Sequence, residues 1–179
     1  MDLKKLRDDF PALCQEHPVA YLDNACVTLR PQSVINAISD YYTKTPGCGG
    51  RSVHRYGTTV SKTIAQSRRT LSGFFNAPSV NEIVFTRNAT HSLNQVAKGL
   101  SWEKDDIVLT TDREHNSNLV PWLQLEEEQG VDHRVVPSNP DNTFDLEAFE
   151  RMCSEAGSKL RMVSISQVGN LAGIQSPIR

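Results

Sequence analysis

The stretch IVLTTDREHNSNLVPWLQLEEEQGVDHRVV, residues 107–136, decides the fold. Two short apolar runs, 107–109 and 134–136, have the composition of strands. The segment between them predicts a helix over 117–129, closed by a glycine. A strongly polar loop, 112–118, connects the first strand to this helix. A strand, a helix and a second strand in this order are typical of a βαβ unit with parallel strands.

The same alternation continues on both sides of this stretch. Towards the N-terminus, Ile83 to Phe85 predicts a strand and Ala89 to Lys98 a helix. Towards the C-terminus, Asp145 caps a predicted helix that runs to about Ala156, and Leu160 to Ser166 predicts a strand. The pattern therefore predicts an α/β fold, with a mostly parallel sheet and helices on both of its faces.

The N-terminal part of the chain has weaker periodicity. Residues 2–10 predict a short helix, and residues 19–22 a short strand. A second helix is expected to start after Pro31 and to end before Pro46, and a third covers 59–75. Between them lies an irregular glycine-rich stretch, residues 47–57. Such stretches in compact domains are usually functional or disordered, and His54 and Arg55 make this one a candidate to reach a site.

Composition places the chain among ordinary globular proteins. Its 179 residues are 38% hydrophobic and 22% charged, with a formal net charge of -2. No basic excess indicates nucleic-acid binding, and no apolar run indicates a secretory signal or a membrane span, so we predict a cytoplasmic protein. The four cysteines, without a C-x-x-C pair, are expected to be reduced thiols, and no metal site is predicted.

The loop of residues 86–90 lies where a predicted strand meets a helix N-terminus. Free backbone N–H groups and the helix dipole make such a position a natural phosphate site. Asn88 or Thr90 can add a side-chain donor. The alternative is that Asn88 simply caps the helix, which is a common role for asparagine. The chain has neither G-x-G-x-x-G nor G-K-[ST], so dinucleotide-binding and P-loop sites are not supported.

Two further loops follow predicted strands and carry polar residues. Residues 112–118 include His115, which can titrate near neutral pH or present a flat ring to a flat ligand. The alternative is a solvated loop capped by Ser117. Residues 167–173 place Asn170 between two glycines, which let the backbone approach a ligand. The alternative here is an ordinary turn.

Five segments, in order and at familiar distances, resemble the cysteine desulfurases of the class V aminotransferase group. The pattern EH-x-SN-x-VPW is typical of the Suf-type enzymes, and the resemblance runs from about residue 19 to the end. The segments are YLDNA (21–25), SVHRYG (52–57), FTRNAT (85–90), EHNSNLVPW (114–122) and GNLAG (169–173).

The resemblance implies a fold and a cofactor. The fold is that of the pyridoxal-phosphate-dependent transferases of fold type I, with a mixed seven-stranded sheet in a large domain. Residues 21–179 then form an incomplete cofactor-binding large domain, and residues 1–20 an N-terminal segment of the small domain. The cofactor is pyridoxal 5'-phosphate (PLP). The family acts as a homodimer, and His54 and Arg55 match its active-site entrance at the dimer interface.

The resemblance implies cofactor contacts for individual residues of this chain. Ala89 and Thr90 match the helix start that holds the phosphate group. His115 matches the histidine that stacks on the pyridine ring, which makes it the candidate catalytic residue. Asn170 matches an asparagine beside the cofactor and the substrate carboxylate.

The implied reaction removes sulfur from L-cysteine and leaves L-alanine. The sulfur passes to a cysteine as a persulfide and then to a sulfur-acceptor protein for iron–sulfur cluster assembly. The family's cofactor lysine, pyridine-facing aspartate, persulfide cysteine and carboxylate-binding arginine have no counterpart in these 179 residues. We therefore predict an N-terminal part of the enzyme that is inactive alone. Smaller departures from the pattern are Cys26-Val27, Asn116 and Gln167.

The sequence allows two other interpretations of the protein's function. The first is another class V enzyme: an aminotransferase, a kynureninase-like hydrolase or an epimerase. The second is a non-catalytic protein that uses the half-fold as a binding module or scaffold. A cysteine on a mobile loop in the missing part would distinguish a desulfurase from the first group. A reading frame that continues after residue 179 would eliminate the second.

Overall fold

A computed structural model describes residues 2–17 and 19–178. Met1, Pro18 and Arg179, which fall within the predicted domain ranges, lie outside the described residues. The chain divides into two compact units, Met1–Phe85 and Thr86–Arg179. The boundary expected near residue 20 concerns the small and large domains of the family, and it stays a prediction. In the described ranges, no helix combines the length and apolar character needed to cross a membrane.

The first unit is helical. The Asp2 carboxylate accepts hydrogen bonds from Lys4 N and Lys5 N and so caps the first helix. The second helix lies between Pro31 and Pro46, as predicted, because proline fits before a helix start and interrupts a helix that meets it. The helices are α1 (Leu3–Asp8), α2 (Gln32–Lys44) and α3 (Arg55–Phe74), with 3-10 turns at Pro11–Leu13 and Val80–Glu82.

The predicted strands at 19–22 and 83–85 are wrong, since neither segment forms a strand. For the second segment the reason is visible. Arg68 Nε donates a hydrogen bond to Ile83 O at 3.2 Å, and its guanidinium lies 5.2 Å from the centre of the Phe85 ring. The Arg68 side chain thus binds the Ile83 carbonyl, which in a strand would accept a hydrogen bond from a neighbouring strand. β-branched and aromatic composition favours a strand only where a partner strand exists.

The glycine-rich stretch 47–57 packs onto the start of α3, which begins four residues before its predicted start at Thr59. Gly50 N donates to Ser61 Oγ at 2.8 Å, and Ser61 Oγ donates to Gly57 O at 2.8 Å. A Cβ on Gly57 would lie 2.5 Å from Ser52 Cβ and 2.7 Å from Ser52 O. Glycine is therefore required at this position by close packing.

The second unit contains the predicted sheet. The central strand pairs in parallel with the strand on each side, so the order is β2-β1-β3. The predicted alternation of strands and helices is confirmed from residue 89 onward, with shifts of a few residues at the ends. The elements are α4 (Ala89–Gly99), β1 (Ile107–Thr111), α5 (Val120–Gln129), β2 (Asp132–Val136), α6 (Leu146–Ala156) and β3 (Leu160–Val163), with 3-10 turns at Asn116–Asn118 and Gly157–Lys159.

Helices cover both faces of β1, as the sequence predicts. On one face, Val108 packs with side chains of α4 and α5, including Ala97 and Trp122. On the other face, Ile107 and Leu109 pack with α6. Every residue of β1 is buried. Burying one aliphatic side chain of this size contributes about 1.5–3 kcal/mol, so β1 organises the core of this unit.

Candidate functional site

The carboxyl ends of the three parallel strands lie at one edge of the sheet of the second unit. Ligands of open α/β sheets bind at this edge. The loop after β1 covers 112–119 and carries His115. The segment after β3 begins at Ser164 and carries Asn170. Both predicted ligand contacts thus lie on connections that leave the same edge of the sheet.

Glu114 joins the end of β1 to the segment after β3. Its Oε1 accepts hydrogen bonds from Thr111 Oγ1 at 2.9 Å and from Ser166 N at 2.9 Å. Its Oε2 accepts from Asn118 Nδ2 at 2.7 Å and from Ser166 Oγ at 2.6 Å. Hydrogen bonds to an ionised acceptor are the strong ones in proteins, and here all four converge on one carboxylate.

Asn118 extends this arrangement into the core. Its Oδ1 accepts from Trp122 Nε1 at 3.2 Å and from Ser164 Oγ at 2.5 Å. Its Nδ2 donates to Ser164 O at 3.1 Å as well as to Glu114. Indole nitrogen can only donate and a backbone carbonyl can only accept, so these two partners fix the orientation of the amide. We call these residues the Glu114 cluster: Thr111, Glu114, Asn118, Ser164 and Ser166.

The His115 ring is exposed and held at one edge by its own loop. Nδ1 accepts a hydrogen bond from Ser117 N at 3.0 Å, and Ser117 Oγ lies 2.9 Å away. Because a backbone N–H can only donate, Nδ1 is the acceptor and the proton of the neutral ring is assigned to Nε2. These contacts give the exposed ring a defined orientation.

The start of α4 has the geometry of an anion site. Asn88 Oδ1 accepts from His91 N at 2.9 Å, so the alternative role of Asn88 as a helix cap is observed. Ala89 and Thr90 are exposed, and among the described residues none accepts a hydrogen bond from their backbone N–H groups. The cap and the anion site are compatible, because the cap leaves these two donors free.

Asn170 lies on a short turn after β3. Gly169 N donates to Ile174 O at 3.1 Å, and Gly173 N donates to Gly169 O at 2.9 Å. Gly173 has a φ of 66°, a conformation that glycine adopts without strain. The Asn170 side chain is exposed at the tip. The ordinary turn considered as an alternative is therefore present, and it displays the asparagine.

The predicted site residues fall into two groups. Helix α4, which starts at Ala89 and Thr90, contacts the 3-10 turn next to His115. His54 and Arg55 belong to the first unit, where His54 Nδ1 accepts from Gly57 N at 3.4 Å and caps α3. Their roles at an entrance stay predictions.

The structural roles of the Glu114 cluster and of Arg113 were not predicted from the sequence. Arg113 Nε donates to Ser138 Oγ at 3.1 Å, and its guanidinium also binds the Asn142 side chain. It thereby ties the loop after β1 to the loop after β2. The only signal in the sequence was the high polarity of residues 112–118, which does not identify partners 25 or more positions away.

An open cavity of about 150 Å³ lies beside the cluster. Its lining combines polar groups with aliphatic residues of the turn after β3. Among the residues at its wall are Arg113, Glu114, Phe144, Ser166 and Ile174. In the described part of the chain, no group of three or more potential ligands is arranged to hold a metal ion.

The second unit is thus an α/β fold in which one helix starts at exposed residues and in which the connections after β1 and β3 carry an exposed histidine and an exposed asparagine. The family model for class V aminotransferases matches residues 20–179, and the chain belongs to that family. A probable cysteine desulfurase from Streptomyces coelicolor is 33% identical over 189 residues, an alignment that covers 99% of this chain and 44% of that protein.

Solved structures agree with this assignment. The apo cysteine desulfurase of Thermococcus onnurineus matches with a TM-score of 0.82 and 32% identity, covering 93% of this chain and 40% of that one. A variant of C-DES with glycine covalently linked to its PLP cofactor matches with a TM-score of 0.79 and 26% identity, covering 96% of this chain and 43% of that one. The predicted fold class is confirmed. The chain spans less than half the length of these relatives.

Proposed function

We propose that this chain is the N-terminal part of a PLP-dependent cysteine desulfurase. The whole enzyme would remove sulfur from L-cysteine, leave L-alanine and pass a persulfide to an acceptor protein of iron–sulfur cluster assembly. It would act as a homodimer in the cytoplasm. The observation that carries the proposal is in the second unit, where α4 contacts the 3-10 turn next to His115.

The residues at the start of α4 fit a phosphate group. Within the described ranges, the backbone N–H groups of Ala89 and Thr90 have no hydrogen-bond acceptor, and the helix dipole favours an anion there. The Thr90 hydroxyl is a further donor. α4 has 11 residues and is fixed to the core through Ala97, so the site belongs to a rigid element.

The remaining contacts orient a flat ring and a carboxylate. The His115 ring, held by Ser117, would lie against the pyridine ring, and the Asn170 amide would donate to the cofactor or the substrate carboxylate. When bound, PLP supplies an electron sink for the chemistry at the cysteine carbon atoms. From the family resemblance, His54 and Arg55 would line the entrance.

The direct test is a titration of the purified chain with PLP, followed by absorbance and then by borohydride reduction. We expect weak and reversible binding without covalent attachment, because no position of this chain matches the lysine that the family uses. Thr90→Val should weaken binding by about three- to tenfold, since it removes one hydroxyl donor to a charged group. Thr63→Val, at an exposed position of α3, is the matched control and should leave binding unchanged.

Two results would contradict the proposal. If Thr90→Val does not affect PLP binding, the phosphate group does not bind at the start of α4. Stoichiometric reduction onto one specific lysine would mean that this chain carries its own cofactor lysine and that the assignment to an N-terminal part is wrong.

A further inference from the structure

We propose that Glu114 is a positioning residue that sets the place of the His115 ring, a role that rests on the proposed function of that ring. The carboxylate accepts hydrogen bonds from Thr111, Asn118 and Ser166. These residues belong to the end of β1, to the 3-10 turn that follows His115 and to the segment after β3. Glu114 thus joins three separate segments immediately next to His115.

The donors around Glu114 admit only a carboxylate. Ser166 N at Oε1 is a backbone donor and can never accept. Asn118 Nδ2 at Oε2 is held in place because Trp122 Nε1 and Ser164 O fix the amide from the other side. A glutamine would direct its own NH₂ group at one of these two donors in either orientation. Such a donor–donor contact leaves buried groups without partners, so the cluster would rearrange.

The rearrangement would directly change the position of His115, because Glu114 is its neighbour in the chain. The His115 backbone lies between Glu114 and the 3-10 turn Asn116–Asn118, and both flanks belong to the cluster or to elements that it holds. Among the described residues, Ser117 is the only hydrogen-bond partner of the ring, through Nδ1. Because the ring is exposed and hydrogen-bonds within its own loop, its position follows the backbone that Glu114 fixes.

The first measurement uses the complete 179-residue chain without ligand. The ring resonances of His115 are recorded by NMR in the unaltered chain, in Glu114→Gln and in Glu127→Gln. Glu127 is an exposed glutamate on α5 of the same unit, so its variant is the matched control. We expect the His115 resonances to move in Glu114→Gln and to stay unchanged in Glu127→Gln. Unmoved resonances in a folded Glu114→Gln chain would overturn the inference, whether or not PLP binds.

The second measurement is a double-mutant cycle on PLP affinity. Glu114→Gln should weaken PLP binding by about tenfold, the size expected for one lost charge-assisted hydrogen bond. His115→Ala should also weaken it. If Glu114 acts through His115, Glu114→Gln should cause little further loss in the His115→Ala background, because coupled residues do not contribute additively. Full additivity would mean that Glu114 affects the fold in general, and would overturn the inference.

The two measurements separate failure of this inference from failure of the proposed function. If PLP affinity does not depend on His115, the proposed role of the ring is wrong. Glu114 then cannot position that ring for a cofactor. If PLP affinity depends on His115 but the His115 resonances do not change in Glu114→Gln, only the positioning role of Glu114 is wrong. Should Glu114→Gln not fold, Ser166→Ala removes a single donor at 2.6 Å and should move the same resonances by a smaller amount.

Discussion

The two units of the chain differ in what they bury. In the described residues 2–17 and 19–85, only Gly57 and Ser72 are buried. In the second unit, helices cover both faces of β1, and Leu109 has 0% of its surface exposed. In the first unit, Leu22 is 92% exposed, and apolar residues of α2 such as Ile38 face solvent.

Because of this difference, the second unit contributes most of the hydrophobic stabilisation of the chain. Hydrophobic stabilisation is proportional to the apolar area removed from water, so the second unit has a core of its own. The first unit consists of amphipathic helices whose apolar stripes are largely uncovered. Exposed apolar surface of this extent is typical of an interaction surface, which agrees with a chain that spans less than half the length of its relatives.

The largest effect that tests this comparison is the loss of a core leucine. Leu109→Ala should lower the free energy of unfolding by about 2–5 kcal/mol, because it leaves a cavity beside α6. The matched variant Leu22→Ala, at an exposed leucine of the first unit, should change it by about 0.5 kcal/mol or less. Urea denaturation followed by far-UV circular dichroism measures both. Equal losses would contradict the comparison.

A smaller effect is expected at Gly57, which is tightly packed in the first unit. Gly57→Ala should destabilise the chain by about 1–3 kcal/mol, because the added methyl group meets Ser52 at 2.5–2.7 Å. Gly73→Ala is the control in the same helix, where a Cβ meets no atom within 4 Å. It should stabilise the helix by about 0.5–1 kcal/mol. Thermal unfolding gives the sign of each change. If both variants destabilise equally, packing of the 47–57 stretch is not the cause.

The smallest expected effect is a pH dependence of the second unit. Burial lowers the pKa of His133 below its ordinary value of 6.5, against the opposing carboxylates of Glu126 and Asp132. His133 Nε2 lies 2.8 Å from the buried Thr110 Oγ1. The unfolded chain then takes up the proton at a higher pH than the folded chain. Stability should therefore be complete above pH 6.5 and decrease as the pH falls through 6.5 towards the folded-state pKa.

Urea midpoints at about pH 7.5 and about pH 5.5 measure this dependence. In His133→Gln, which keeps a hydrogen-bonding side chain towards Thr110, the difference between the two midpoints should shrink. A difference of the same size in the variant would assign the pH dependence to other groups.

Sequence patterns worked best where local signals and burial agree. Gly130 ends α5 with a φ of 71°, and the Asp145 carboxylate caps α6 by accepting from Ala148 N at 2.8 Å. Both were predicted, because a helix end depends on a few neighbouring residues. The strand predicted at 83–85 was wrong because its partner, the Arg68 side chain, lies 15 positions away and is not a strand.

The candidate site was predicted unevenly for the same reason. The residues proposed to touch a cofactor (Ala89, Thr90, His115 and Asn170) could be named from motifs. His115 and Asn170 could also be named from their positions after strands. The residues that hold them could not. Glu114 and Asn118 were visible as polar residues of a loop, yet nothing in the sequence indicates that Ser166 and Ser164 are their partners.

Two features followed from the sequence alone: the alternation of strands and helices from residue 89 onward, and the family to which the chain belongs. These depend on apolar periodicity and on short motifs, which are local. The tertiary structure alone decided that Glu114 is the acceptor of four hydrogen bonds and that the Asn118 amide has one orientation. The physical reason is that hydrogen-bond satisfaction in a core depends on which groups meet, and Glu114 meets Ser166 across 52 positions of the chain.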